Sequence, residues 1–259
     1  MRTLVTNDDG IDSDGLVVLA LAAVAAGLDV VVAAPLEEAS GTGAGLAATE
    51  GSGGVLVERR ALPDLDGVDA YAVAAHPGFI ALAATDGAFG AVPEVVLSGV
   101  NLGANLGRAI LHSGTVGAAL TGALHDARAM AVSLAVGPDP QRPPQWDSAT
   151  AVLSVVLPLL LDTPPGSVLN VNVPDLPRDR LGSLRATRLA RFGTVQSRIE
   201  QQGESGESGL RRVPTEVEGD VEPGTDAAAL AEGYVTISAV QPVTDATEPM
   251  LPERLPGLP

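Results

Sequence analysis

Thr3-Leu4-Val5-Thr6-Asn7-Asp8-Asp9-Gly10, then Gly15–Ala26 (GLVVLALAAVAA), then Asp29–Ala34 (DVVVAA), is the stretch that decides the fold. Thr3–Thr6 is a short apolar run of the kind found in a strand buried on both faces. Asn7 to Gly10 reads as a turn, Gly15–Ala26 as a helix and Asp29–Ala34 as a second buried strand. Two strands joined through a helix form a βαβ unit, which requires parallel pairing because the crossover returns the chain to the same end of the sheet.

Outward from this unit the alternation continues. Asp69–Ala74 reads as a strand, Pro77–Thr85 as a helix and Val95–Leu97 as a short buried strand. Ser98–Gly114 is dense in Gly and Asn and reads as a loop. Thr115–Asp126 then reads as a helix, Met130–Val136 as a strand, Pro138–Pro144 as a linker, Ser148–Leu161 as a helix and Val168–Val173 as a strand. Past Pro174 the composition becomes more charged. Leu184–Ala190 and Tyr234–Val240 read as strands, Gln201–Gly209 as a mobile polar segment, and Pro249–Pro259 as a tail without regular structure. The expected architecture is α/β: a Rossmann-like, doubly wound, mostly parallel sheet over residues 1–175. An antiparallel β arm and tail over residues 176–259 follow it.

Composition narrows the function. The 259 residues are 46% hydrophobic but 2% aromatic, so Ala, Val and Leu must build the core. Few aromatic platforms remain for stacking single-stranded nucleic acid. The net charge of −17, with all 15 basic residues Arg, opposes binding to phosphate backbones. No stable nucleic-acid partner is expected. The absence of Lys removes P-loop chemistry. The absence of Cys removes thiolate ligands, thiol nucleophiles and disulfides. No run reads as a signal peptide, and none of about 20 residues is apolar enough to span a bilayer. A cytoplasmic chain without a membrane partner is expected.

Three polar loops follow predicted strands, at the edge where open α/β sheets bind ligands. In the first, Asp8 and Asp9 are adjacent carboxylates directly after a buried strand. Burial and mutual repulsion both disfavour their charged forms, and a hard divalent cation with oxygen ligands resolves both problems. Helix capping by either Asp is the alternative. The second loop, Ser40-Gly41-Thr42-Gly43, reads either as an anion-binding nest of N–H groups or as an ordinary turn. The third runs from Ser98 through Asn101 and Asn105 to Ser113-Gly114-Thr115. An Asn carbonyl suits Mg or Mn, and the start of the helix at Thr115 can serve both as a cap and as a phosphate site. The glycines here do not follow the GxGxxG dinucleotide pattern, which excludes the usual nicotinamide oxidoreductase. No G-x-S-x-G elbow or His-rich zinc spacing is present.

MRTLVTNDDG at the start, then SGVNLGANLG, HSGTVGAAL, VLNVNVP and the late GTDAAALAEGYVTIS, resemble the SurE family in order and spacing over most of the chain, to about residue 241. The resemblance implies a divalent-metal-dependent phosphomonoesterase acting on nucleoside 5′- and 3′-monophosphates and other small phosphate esters. It implies one divalent cation per subunit, Mn2+ or Mg2+ or another divalent ion, and self-association as a homodimer or homotetramer through the C-terminal arm. Carried over position by position, the metal ligands fall on Asp8, Asp9, Ser40 and Asn101. The phosphate contacts fall on Asn7, Gly41, Thr42, Asn105, Ser113, Gly114 and Thr115. Asp8, Asp9 and Asn7 are the catalytic candidates, with the division of roles between the two acids open.

Three departures from the family pattern bear on activity. Glu37-Glu38-Ala39 stands where polar or basic residues are usual, and acids there weaken anion binding unless they face solvent. Ala75-His76-Pro77-Gly78 replaces a frequent Gly-Thr-Pro and acid. His112 replaces a frequent Tyr, and is either a candidate general acid or a residue packed at a loop end. Phe192 is the nearest aromatic in the arm to enclose a base. The alternative to an enzyme is a catalytically weak SurE-like scaffold that binds metal or nucleotide.

Overall fold

A computed structural model of the chain describes residues 1–137, 139, 141–191, 195–202, 209–216 and 222–244, with backbone alone for 195–202 and 209–216. Phe192, most of the polar segment after Gln202 and the Pro-rich tail lie outside the described residues. The strands are β1 (Arg2–Thr6), β2 (Asp29–Pro35), β3 (Glu50–Gly51), β4 (Gly54–Val55), β5 (Val57–Arg60), β6 (Asp69–Val73) and β7 (Val95–Leu102). They continue with β8 (Arg128–Ala135), β9 (Val168–Pro174), β10 (Leu184–Ala186), β11 (Val195–Gln202), β12 (Gly209–Glu216) and β13 (Val235–Val240). The helices are α1 (Asp14–Ala25), α2 (Pro77–Thr85), α3 (Gly114–Ala123), α4 (Trp146–Leu161) and α5 (Asp226–Ala231).

Nine strands form one sheet in the order β10-β13-β9-β8-β7-β1-β2-β6-β5. From β9 to β6 every pairing is parallel. The antiparallel pairings are at β5 against β6 and β13 against β9. Because the chain moves outward from β1 in both directions, β1 and β7 are the pair at which the strand order reverses. A crevice opens at such a point, since the loops leaving the two strands turn to opposite faces.

Alternate side chains along each strand point to opposite faces. Val5, Val32, Leu97 and Val132 pack in the layer containing Leu16 and Leu19 of α1 and Leu153 and Leu157 of α4. Leu4, Val31, Val96 and Ala131 pack in the layer containing Ile80 and Ala81 of α2 and Ala118 and Ala119 of α3. The sheet is thus covered on both sides by Ala-, Val- and Leu-rich helices, as the aromatic-poor composition requires. Pro77 at the start of α2 explains that sharp boundary, since Pro lacks the N–H that the first turn leaves unpaired.

The structure differs from the sequence expectations in three places. β7 runs to Leu102 instead of ending at Leu97, because β8 offers a partner all along: Asn101 lies opposite Ser133 and Leu102 opposite Leu134. The register shifts between Ser98 and Asn101. Gly99 occupies that bulge at φ 134°, where an added Cβ would sit 2.3 Å from the Val132 carbonyl oxygen. Val57–Arg60 (VERR) was not anticipated as a strand, and its charged side chains suit an exposed sheet edge. Past residue 175, Leu184–Ala186 and Val235–Val240 add to the main sheet, while β11 and β12 pair as a separate antiparallel hairpin. Among the described residues no helix is long and apolar enough to cross a membrane.

Candidate functional site

The loops leaving β1, β2 and β7 meet at the crevice between β1 and β7. Backbone contacts hold them there: Ala39 N–H donates to the Asp8 carbonyl at 2.7 Å, and Gly43 N–H donates to the His112 carbonyl at 3.2 Å. The first loop also touches the third through Leu102 N–H and Asp9 Oδ2, 3.4 Å apart. A cleft of about 520 Å³ results, and Asp8, Ser40, Gly41, Asn101, Asn105, His112 and Ser113 are among its lining residues. Asp9, half-buried, is not among the lining residues and reaches the third loop through that Leu102 contact.

Asp8 is only 4% exposed. Its Oδ1 accepts the Thr115 hydroxyl at 2.6 Å. Gly114 lies directly against it, where an added Cβ would come within 2.8 Å of both Asp8 Cβ and Oδ2. Only glycine lets the start of α3 approach the carboxylate this closely. Burial pushes the Asp8 carboxyl above the usual carboxylate range, and the charge on Glu38 adds to that. The Thr115 hydroxyl and the backbone N–H groups of Asp8 and Thr115 pull the other way. Asp9 is pushed up to about 6, first by burial and then by the Asp8 and Glu38 charges, against the Leu102 N–H. Both acids are therefore held where their charged forms lack enough positive partners.

The remaining donors are oxygens as well. Asn101 Nδ2 donates to the Gly103 carbonyl at 2.6 Å, which leaves its amide oxygen as the available atom. The Ser40 hydroxyl donates to Glu38 Oε1 at 2.7 Å and keeps its lone pairs. Two carboxylates, a hydroxyl and an amide oxygen fit a hard divalent cation. Among the described residues no three His, Cys, Asp or Glu side chains form a metal-ligating group, so such a cation would depend on the neutral donors Ser40 and Asn101.

The residues expected to contact phosphate separate into two sets. Gly41, Asn105 and Ser113 line the cleft. Ser113 also caps α3, its Oγ accepting Val116 N–H at 3.1 Å, so capping occurs here as a cap reading of the sequence anticipates. Gly114 and Thr115 lie behind Asp8. Thr42 Oγ1 is turned back to the Ala39 carbonyl at 2.9 Å. Asn7 departs most from its expected role. It is fully buried, with Nδ2 donating to Gly10 O at 3.0 Å and Ser13 Oγ at 2.6 Å and Oδ1 accepting Gly10 N–H at 3.2 Å. Its amide closes the β1 turn and thereby orients Asp8 and Asp9.

Several residues at the site escaped sequence reasoning. Asn105 is gripped by β9: Asn170 and Asn172 Nδ2 each donate to its carbonyl at 2.9 Å, and its N–H donates to Asn172 Oδ1 at 2.8 Å. Asn105 Nδ2 donates to Ser133 Oγ at 2.9 Å and lies 3.4 Å from Thr115 Oγ1. A polar chain thus links Asp8 through Thr115 and Asn105 to β8 and β9. Asp226 clamps the same loop from beyond, accepting Gly107 N–H at 2.8 Å. The available signal was two Asn at alternate positions of an otherwise apolar strand, which places both on one face.

The other departures fall apart in space. His112 is exposed at the cleft, whereas His76 precedes α2 and lines a larger cavity of about 850 Å³ beside Glu37–Ala39 and β3–β4. That cavity holds none of the expected ligands. His125 is exposed just beyond α3.

Comparison with known proteins agrees with this geometry. The family model described as Survival protein SurE matches residues 3–195. A protein of Azotobacter vinelandii named 5′-nucleotidase SurE is 35% identical, over 93% of this chain and 92% of its own. One of the same name from Pseudomonas aeruginosa is 34% identical over the same shares. The crystal structure of SurE protein from Aquifex aeolicus superposes with a TM-score of 0.75 at 26% identity, covering 95% of each chain. With most of its length matched by the family model and by relatives of nearly equal extent, this chain belongs to the SurE family.

Proposed function

We propose that the protein is a divalent-metal-dependent phosphomonoesterase that hydrolyses nucleoside 5′- and 3′-monophosphates and other small phosphate esters. The observation that carries this reading is the buried Asp8 beside Asp9 at the β1–β7 crevice, two acids without a cationic side-chain partner among the described residues. Asp8, Asp9, Ser40 and Asn101 would hold a divalent cation such as Mn2+ or Mg2+. When bound, that ion supplies charge neutralisation at the phosphoryl group and a lowered pKa for an attacking water. Asn7 fixes the turn that carries the acids. Thr115 and Asn105 hold the α3 side of the cleft, and Gly41, Asn105 and Ser113 present small polar surfaces to the phosphoryl oxygens. His112, exposed at the same cleft, is the candidate general acid for the leaving alkoxide. The names of the relatives support a nucleoside 5′-monophosphate as substrate.

The test is hydrolysis of p-nitrophenyl phosphate and a nucleotide panel by EDTA-treated protein with Mn2+ or Mg2+ restored. Metal-restored hydrolysis is expected. Its absence moves the reading to a catalytically weak SurE-like scaffold that binds metal or nucleotide. We further infer that residues 1–175 carry the chemistry in the cytoplasm. Residues 176–259, with the β11–β12 hairpin, join subunits into a homodimer or homotetramer. Deletion of 195–216 is then expected to give a monomer in light scattering.

A further inference from the structure

Glu38, two residues before Ser40 on the loop after β2, is a charged side chain that neither the cation set nor the phosphate set uses; it lines the larger cavity next to the cleft. The backbone of the next residue, Ala39, is held at both its N–H and its carbonyl. Ala39 N–H donates to the Asp8 carbonyl at 2.7 Å, and the Thr42 hydroxyl donates to the Ala39 carbonyl at 2.9 Å. Gly10 lies alongside, where an added Cβ would be in ordinary van der Waals contact with Glu37 C and Glu38 N at 3.6 Å. The Glu38 side chain is exposed and turns to Ser40 instead of standing free in solvent, with Glu38 Oε1 accepting the Ser40 hydroxyl at 2.7 Å. Its charge acts on both Asp8 and Asp9.

We propose that Glu38 is a positioning residue for the cation site, one that fixes the Ser40 hydroxyl for ligation and biases the cleft toward cations and against phosphate. A hydroxyl has one proton and two lone pairs. With the proton committed to Glu38, the lone pairs are left for a ligand, and the carboxylate makes the oxygen a better donor. The third negative charge also deepens the potential that draws a cation and repels an anion. This rests on the reading of Asp8, Asp9, Ser40 and Asn101 as a cation site.

The experiment is calorimetric titration of EDTA-stripped, full-length protein with Mn2+, alongside competitive inhibition by inorganic phosphate. Glu38→Ala removes hydrogen bond and charge, whereas Glu38→Gln keeps an acceptor and removes the charge. Glu38→Ala is expected to weaken Mn2+ binding about tenfold or more, with Glu38→Gln in between. Phosphate inhibition should tighten in both, a change of opposite sign that loss of structure would not produce. In a Ser40→Ala background the two substitutions should have equal effects, because only the charge remains to be lost. Should Glu38→Ala misfold, the Gln variant carries the comparison. Wild-type protein that takes up no Mn2+ overturns the cation site itself. Wild-type protein that binds Mn2+, with both variants matching it in Mn2+ and phosphate affinity, overturns the role of Glu38 alone.

Discussion

Two buried carboxylates in this molecule have opposite surroundings. Asp226, at the start of α5, is fully buried and accepts three backbone N–H groups: Gly107 at 2.8 Å, Ala190 at 2.9 Å and Ala227 at 2.8 Å. Asp8, at the end of β1, is almost as buried, but it has Thr115 on one oxygen and two further acids nearby. Asp226 is satisfied from within the chain and ties the C-terminal segment to the loop after β7. Asp8 is left needing positive charge from elsewhere. A buried acid ringed by N–H groups is structural, whereas one facing other acids at a crevice calls for a ligand.

The largest effect should separate the two acids by activity. Asp8→Asn or Asp9→Asn is expected to lower metal-dependent kcat/KM on the order of a thousandfold or more. The Asp8→Asn protein in EDTA should melt no lower than wild type, since an amide replaces an under-compensated charge. Retained phosphatase activity in either variant would end the assignment of these acids.

Asp226→Ala is the converse. It strands three buried N–H groups, each costing about 1–3 kcal/mol when left unpaired, so a total loss near 3 kcal/mol is expected after local relaxation. Urea denaturation measures it. Activity per folded molecule should fall far less than in Asp8→Asn. If Asp226→Ala proved neutral in stability, the contrast between the two acids would fail.

How much of this was legible depended on the range of the interactions. β1, α1 and β2 were readable because their apolar runs are local and lead straight into Asp8 and Asp9. Asn101 is a candidate cation ligand by resemblance, yet the sequence does not show it as part of a strand. Its Gly-rich surroundings look like a loop until β8 supplies the partner. Asn170 and Asn172 were visible only as polar positions in a strand. Their reach to Asn105, 65 and 67 residues away, exists only after β9 has docked beside β8. Asn7 stood at the right place for substrate contact, but nothing in the sequence reveals that its amide is used up by Gly10 and Ser13. Glu38 was noticed as an acid where anion binding should suffer, and its hydrogen bond to Ser40 depends on how the second loop folds against the first.

A smaller effect follows from pH. In the metal-free protein Asp9 titrates at about 6, against an ordinary value near 3.8. The folded state therefore holds this proton over a range where the unfolded chain has lost it. That contribution to stability is fully present below pH 4 and is lost as pH rises through about 6. Asp8 is shifted in the same direction. Discounted for the partial exposure of Asp9, the loss from Asp9 is about 1–2 kcal/mol. Urea titrations in EDTA at several pH values should show this slope, and Asp9→Asn should flatten it. Saturating Mn2+ should reverse it, because the cation prefers the deprotonated acids. A wild-type profile that is flat in EDTA would mean the paired acids are not under strain, and the contrast with Asp226 would lose its energetic basis.

The smallest test concerns the single hydroxyl that Asp8 does have. Thr115→Val keeps the shape and removes the donor, leaving Asp8 Oδ1 without its 2.6 Å partner and Asn105 Nδ2 with Ser133 alone of its two contacts. A typical intramolecular hydrogen bond contributes a net of about 0.5–1.5 kcal/mol. A loss of about 1 kcal/mol is expected in EDTA. Thr115→Ser, which keeps the hydroxyl, should restore most of it. The two variants also separate packing from charge. If only Ser destabilises, the Thr methyl and its packing are what the site needs, since Val keeps that methyl and Ser does not. If only Val does, the α3 start is bound to Asp8 through its hydroxyl, and the Mn2+ affinity of Thr115→Val should change along with stability, since the same bond holds the Asp8 carboxylate in place.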